Sequence, residues 1–393
     1  MVLNDEKKLV MVKNVYFDNA ATTPIRAEVV DVMHEVLKDN FGNPSSTHAF
    51  GRSAKAQIET ARKGIAKHFN AHPQEIIFTS GGTESDNMLV RCAVQDLGVE
   101  TVITSKIEHH AILHAVEYLA ERKLATVLYV KTDADGAVDY TDLAHLLAAD
   151  DSKKLVSLMH INNEIGTILD LERVSNLCKT HDALFHTDAV QGVGHYAIDL
   201  EQIAVDFLSA AAHKFHGPKG IGFSFVRKNS GLQPFILGGS QERGLRAGTE
   251  SVHNIVGMAK ALEIAYAKLE EEQQYLKELK AHAIKQLNDA FPDIHFNGCC
   301  SDMERSTFTL VNVALPISEE KASLLNFHLD LNGIACSKGS ACQSGSAKGS
   351  HVLEEVVPVA LKNWPSIRFS FSVFNTQDEV DYLVKTLATF AKE

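Results

Sequence analysis

The residues best suited to chemistry fall in four short segments of the 393-residue chain. In the first, Val205 to Gly220, an apolar run through Phe207, Leu208 and Ala210 to Ala212 ends in His213-Lys214, and a Gly217-Pro218 turn follows. Buried lysines are rare. Burial lowers the pKa of a lysine, the condition that a Schiff-base lysine requires. His213 and His216 stand three positions apart and superficially suggest a metal pair, but no third ligand stands close by in the sequence, so no metal site is assigned.

The second segment, Leu184 to Gln191, places Asp188 at the end of a short apolar run. In α/β folds ligands bind at the carboxyl edge of the sheet. A partly buried aspartate there needs a cationic partner, such as a protonated pyridine nitrogen, or several hydrogen bonds; a helix N-cap is the other reading. The third segment, Phe78 to Asn87, runs from a β-branched stretch into Gly81-Gly82 and then Thr83-Glu84-Ser85-Asp86. That order suits a helix N-terminus whose free N–H groups face an anion, with the Thr83 hydroxyl added. It lacks the Gly-Lys-Ser/Thr of a Walker loop and the spacing of GxGxxG. A plain strand-to-helix turn is the alternative.

The fourth segment, Gly339 to Ser350, holds three glycines and four serines in twelve positions around Cys342. Such a composition buries little surface and is expected to be mobile, with an accessible thiol; an inert cysteine on a linker is the bland alternative. Two more residues join these candidates. His109 follows Glu108 in a strand-to-helix connection, where a capping histidine is equally natural. Arg368 interrupts the strand-like Ser366 to Ser370, and its fork suits a carboxylate, whether of a substrate or of a structural partner.

These residues must be held by a scaffold that the apolar pattern outlines. Short apolar runs at Glu75–Thr79, Thr101–Thr104, Ala125–Val130, Leu155–His160, Ala183–His186 and Ile221–Val226 alternate with helix-length segments. That alternation predicts an α/β fold with a mostly parallel central sheet covered on both faces. A long helix is expected from Gly257 to about Ala290, on the stripe Leu262, Tyr266, Leu269, Leu276, Leu279, Ala283 and Leu287. The remainder, with strand-like Thr307–Val313 and Ser366–Ser372, reads as a smaller α+β domain. The division expected is 23–268 for the large domain, with 1–22 and 269–393 forming the small one.

Composition removes other classes. Lys and Arg total 38 against 50 Asp and Glu, a formal charge of −12, which repels phosphate backbones and argues against nucleic acid as a partner. No apolar run approaches the ~18 residues of a membrane helix. Asp5 and Glu6 precede any hydrophobic stretch, unlike a signal peptide, so a cytoplasmic protein is expected. The six cysteines, at 92, 178, 299, 300, 336 and 342, show neither CxxC nor zinc spacing and read as free thiols.

In combination, the chain resembles the cysteine desulfurases of the pyridoxal-phosphate class V aminotransferase group. The resemblance runs over nearly the whole length. It is carried by Asp18 to Pro24, Asn43 to Ser46, Ser80 to Asn87, Glu108-His109, Asn162 to Thr167, Asp188 to Gln191, His213-Lys214, Gln241 to Thr249 and Gly339 to Cys342. No one of these motifs is specific, but their order and separations are.

The resemblance implies PLP fold type I, a homodimer, and pyridoxal 5'-phosphate joined to Lys214. It implies that Gly82 and Thr83 hold the phosphate with His213 nearby, and that Thr249 reaches in from the partner subunit. Asp188 would bond the ring nitrogen, Gln191 and Asn163 the ring hydroxyl side, and His109 would stack on the ring and shuttle protons. Arg368 with Asn163, and Asn19 more weakly, would hold the carboxylate of L-cysteine. Cys342 matches the persulfide-forming cysteine of the subgroup with the longer Gly-Ser-Ala-Cys loop. From there sulfur would pass to an acceptor protein, in iron–sulfur cluster assembly or tRNA thiolation. A serine usual in the family two residues before the histidine is Ala211 here, so one phosphate hydrogen bond is expected to be missing or replaced. Selenocysteine lyase and same-fold transaminase activities share most of these motifs.

Overall fold

The computed structural model describes residues 14–338 and 349–392. At its centre lies a seven-stranded sheet in the order β2-β8-β7-β6-β5-β3-β4. Its strands are β2 (Ile76–Thr79), β3 (Thr101–Thr104), β4 (Thr126–Tyr129), β5 (Lys154–Ser157), β6 (Leu184–Asp188), β7 (Phe207–Ala211) and β8 (Gly222–Val226). Only β8 runs against the others. The inner strands are buried along their whole length, apart from a half-buried Leu184, because helices cover both faces; the edge strand β4 is half exposed. Burial on both faces is why these runs are continuously apolar rather than alternating. One face packs against Val29, Ile58, Ile65 and Leu262, the other against Leu89, Ile112 and Val116.

Apart from this sheet, β10 (Leu310–Ala314) pairs antiparallel with β9 (His295–Phe296) and β12 (Ser366–Ser370). A separate apolar cluster joins Val311 and Phe369 to Leu276, Leu279 and Leu287 of one helix and Leu383 and Leu387 of another. Near the start of the described chain, β1 (Val15–Tyr16) pairs parallel with β11 (Ile334–Ala335), and Val15 and Phe17 pack into this second cluster.

The single helix expected from Gly257 to Ala290 is two helices, Val252–Ala267 and Leu269–Ala290, meeting at Lys268. Two cores explain the break. Met258 and Leu262 belong to the apolar cluster under the large sheet, whereas Leu276 and Leu279 belong to the other. A straight helix cannot present one stripe to both. Among the described residues, no helix is long and apolar enough to cross a membrane.

The topology explains where chemistry collects. The strands β2, β3, β5, β6 and β7 run the same way, and each leads at its carboxyl end into candidate residues: Gly82 and Thr83, His109, Asn163, Asp188 and Gln191, and His213 and Lys214. Residues distant in sequence thereby meet at one edge of one sheet.

Candidate active site

At that edge lies a cavity of about 200 Å³. Gly82, Thr83, His109, Asn163, Asp188, Gln191, His213, Lys214 and Arg368 all line it, together with Ala20, Ala21, Asp86, Met159, Val190 and Ala211.

One end is shaped for an anion. Gly81 has φ of 150°, a conformation that side chains rarely adopt, and it turns the chain from β2 into the helix Gly82–Leu97. A Cβ at Gly82 would stand 2.7 Å from Val190 Cγ2, so this position needs glycine. The helix has no side-chain N-cap, which leaves its first N–H groups for a ligand. Ala211, whose side chain carries no hydroxyl, also lines the cavity.

Lys214 follows β7 in the 3₁₀ turn Ala212–Lys214. Its Nζ donates to the carbonyls of Ala20 at 2.6 Å and Ala21 at 2.8 Å. Gln191 Nε2 donates to the same Ala20 carbonyl at 2.9 Å. His213 is fixed by Thr22 Oγ1, 3.2 Å from Nδ1, and its carbonyl accepts from the N–H and hydroxyl of Thr23.

Asp188 ends β6, and its Oδ1 accepts from Val190 N–H at 2.9 Å. Burial pushes the carboxyl up to about 6, against the pull of the Val190 N–H and the Lys214 charge. A cationic partner in the cavity would hold it ionised. His109 is the N-cap of the helix His110–Glu121 and accepts from Ala111 N–H through Nδ1 at 3.1 Å. Burial and then the Lys214 charge drive its pKa down to about 4, so the ring is neutral at physiological pH. Its capping role and its place on the cavity wall are both real.

Arg368 lies on β12 and is 1% exposed. Nη1 donates to Asn163 O at 2.6 Å and Nη2 to Asp18 Oδ1 at 2.9 Å. The loop carrying Asn163 is pinned by Asn162, whose Oδ1 accepts from Glu164 and Ile165 N–H while Nδ2 donates to Ile107 O.

Two of the expected residues that the structure describes are not on the wall. Asn19 turns away from it: Nδ2 donates to Tyr16 O, Ser370 O and Asn375 Oδ1, tying the N-terminal loop to the β12 end. Thr249 is exposed outside the cavity. Cys342 lies outside the described residues. Conversely, Asp86 lines the cavity without having been singled out in the sequence. The available signal was helical spacing, since positions four apart share a face and Gly82 already pointed there.

The residues matched by the family model described as aminotransferase class-V run from 15 to 383. The chain belongs to the class-V aminotransferase family. Within it, the chain is 43% identical to a protein named cysteine desulfurase IscS from Dictyoglomus turgidum, over 96% of this chain and 94% of the relative. It is 40% identical to the putative cysteine desulfurase IscS 1 of Bacillus subtilis, over 97% and 99%. Among solved structures, a NifS-like protein superimposes with a TM-score of 0.88 at 36% identity, covering 97% of this chain and all of the other. A structure of SspA in complex with cysteine superimposes with a TM-score of 0.77 at 31% identity, covering 92% of this chain and 100% of that one. The mostly parallel sheet of this class-V aminotransferase is therefore the α/β fold of NifS-like enzymes.

Proposed function

We propose that this class-V aminotransferase is a cysteine desulfurase that converts L-cysteine to L-alanine and moves the sulfur to Cys342 and then to an acceptor protein. The observation that carries this reading is the convergence of the Lys214 amine, the Asp188 carboxylate and the Arg368 guanidinium on one cavity, in a chain whose relatives are named for that activity.

Class-V aminotransferases work with pyridoxal phosphate, and the donor set fits it. The uncapped helix end at Gly82 and Thr83 suits the phosphate, Asp188 the ring nitrogen, and Lys214 the aldehyde carbon. Asn163 and Gln191 are available to the ring hydroxyl side and His213 to the phosphate end. When bound, the cofactor supplies an electron sink for the charge released at the substrate Cα.

The chain's own residues do the rest. Asp188 keeps the ring nitrogen protonated. Arg368 and Asn163 hold the substrate carboxylate and so orient the Cα–H. Nζ of Lys214, exchanged from its two carbonyl partners, takes the Cα proton and later returns one. His109, neutral with Nδ1 accepting from the Ala111 N–H and its own proton on Nε2, serves as the proton shuttle beside the substrate thiol. The Cys342 thiolate then attacks the substrate sulfur, the carbon–sulfur bond breaks, a persulfide forms, and the three-carbon remainder leaves as alanine after protonation.

The assembly is a homodimer. Phe41, Phe50 and Leu237 are exposed at 74%, 58% and 82%, on segments joined by the Gln241–Ser45 hydrogen bond. Thr249 lies in the second of these segments, where it serves the partner's phosphate end. Residues 23–268 make the large domain, with 1–22 and 269–393 making the small one. Free thiols at Cys92, Cys178, Cys299, Cys300 and Cys336 suit a reducing, cytoplasmic compartment.

The decisive experiment supplies L-cysteine to the cofactor-loaded protein with a thiol reductant and measures alanine and sulfide in equal amounts. Oxo-acid turnover from glutamate without sulfide would instead make it a transaminase, and preference for selenocysteine in direct competition a selenocysteine lyase. In parallel, Lys214→Ala should lose fixation of the cofactor by borohydride; covalent fixation that persists removes Lys214 from its role.

A further inference from the structure

Behind Asp188 lies a second carboxyl group. Asp86 stands on the helix Gly82–Leu97, is 1% exposed and reaches the cavity wall. An oxygen of Asp86, an oxygen of Asp188 and a ring nitrogen of His109 all lie within 4.8 Å of one another. Two carboxylates that close in a buried site do not both ionise readily.

Among the described residues, no lysine or arginine forms an ion pair with Asp86. Asp86 Oδ1 is buried without a hydrogen-bond partner among the described residues, and the nearby Ser209 hydroxyl of β7 favours the ionised form only weakly against burial. His186, two residues before Asp188 on β6, places Nε2 3.6 Å from Oδ1. That imidazole is itself held by Ser157 Oγ at 2.9 Å and Ser209 Oγ at 3.2 Å, and burial drives its pKa down to about 3, so it is neutral. The other titratable groups facing this corner are Asp188, Glu108, His109 and Lys214, and Asp188, or Glu108 once it is ionised, repels a charge on Asp86. Burial and the Asp188 charge both raise the Asp86 pKa well above the carboxylate range.

We propose that Asp86 is a neutral carboxylic acid that positions Asp188, so that one negative charge rather than two faces the ring nitrogen. The proposal deepens the reading of the cavity as a pyridoxal-phosphate site and rests on it. Helix, β6 and β7 meet at Asp86, so its carboxyl group sets the spacing between the helix that holds the anion and the strand that carries Asp188. Two negative charges there would overcompensate a single protonated nitrogen and trap a second proton. A neutral acid fills the same space and leaves Asp188 as the sole anion.

The test has two readouts. In the infrared difference spectrum of the cofactor-free protein, wild type minus Asp86→Asn at neutral pH, the proposal expects a protonated-carboxyl band; a carboxylate band in its place refutes it. Cofactor affinity and the pH midpoint of the bound cofactor's absorbance supply the second readout. Asp86→Ala should weaken cofactor binding about tenfold by opening a void beside Asp188, and Asp86→Asn should restore it with an unshifted midpoint. Wild-type affinity in Asp86→Ala, or a displaced midpoint in Asp86→Asn, overturns the positioning role. If the wild-type protein takes up no pyridoxal phosphate, the cofactor reading has failed, while the infrared spectrum still decides the charge on Asp86.

Discussion

Arg368 and Asp18 are joined by a 2.9 Å ion pair in which the guanidinium is almost wholly buried and the carboxylate is partly exposed. The guanidinium's other terminal nitrogen is held by the Asn163 carbonyl. Each terminal nitrogen carries a second N–H, so a substrate carboxylate entering the cavity binds beside these partners or replaces one. Arginine suits that site because its planar fork can hold a carboxylate through two parallel N–H bonds, a geometry that a lysine ammonium lacks. Arg368→Lys is expected to raise KM for L-cysteine about tenfold, the equivalent of ~1.4 kcal/mol, with a smaller effect on kcat. Equal loss in kcat with unchanged KM would show that Arg368 acts on the chemical step instead.

His109 serves as both N-cap and cavity wall, and one substitution separates the two. Asparagine is a strong N-cap residue, so His109→Asn keeps an acceptor for the Ala111 N–H while deleting the ring. Thermal stability is expected to stay near wild type while turnover falls by about a hundredfold, the low end for a lost acid–base group. His109→Ala should lose both, with about 1 kcal/mol of stability gone with the cap. Full turnover in His109→Asn would reduce the residue to a cap.

Much of this arrangement could be read from the chain. Asp188 and Lys214 stand out because each ends an apolar run with a charge, a combination that burial penalises unless something repays it. Asp86 stayed hidden because a carboxylate in the first turns of a helix is ordinary on a surface, and only the tertiary contact with β6 and β7 makes it unusual. Asn19 sits beside Ala20, which lines the cavity, yet backbone direction turns its side chain toward Ser370 and Asn375. The two-residue strands β1, β9 and β11 are too short to leave any periodic trace and exist through their pairing alone. The break at Lys268 was masked because the leucine spacing continues through it; the change of core on either side is a three-dimensional fact.

Glu108 makes the pH dependence of the cofactor-free protein testable. Its carboxyl accepts from Ser105 Oγ and Met159 N–H, but burial dominates and pushes it up to about 8. Between the unfolded value near 4.5 and about 8, the unfolded chain has lost this proton and the folded chain keeps it. Stability from this group is therefore complete at low pH and is lost as pH rises through that window, by up to ~1.4 kcal/mol per pH unit. Glu108→Gln mimics the neutral acid and removes the slope. Its melting temperature should decline less than that of wild type across the window; parallel curves would show that Glu108 is ionised in the fold.

The sulfur-carrying thiol can be assigned by comparing cysteines. A thiol attacks as its thiolate, so one whose pKa is raised is a poor nucleophile. Burial raises Cys178 and Cys299, and pushes Cys92 to about 12, Cys300 to about 11 and the half-buried Cys336 to about 12. Cys336 is the informative control, because Asp18 and Arg368 are close enough to influence its charge, yet burial keeps it protonated. Cys342→Ser should retain the cofactor's colour but form no persulfide when L-cysteine is added, and should lose most sulfide release. Cys336→Ser should form the persulfide at the wild-type rate. The measurement is the mass of the intact protein after brief exposure to L-cysteine, followed by peptide mapping of the added sulfur. Sulfur found on Cys336, or normal sulfide release from Cys342→Ser, would move the transfer to a different thiol and with it the path by which sulfur leaves the cavity.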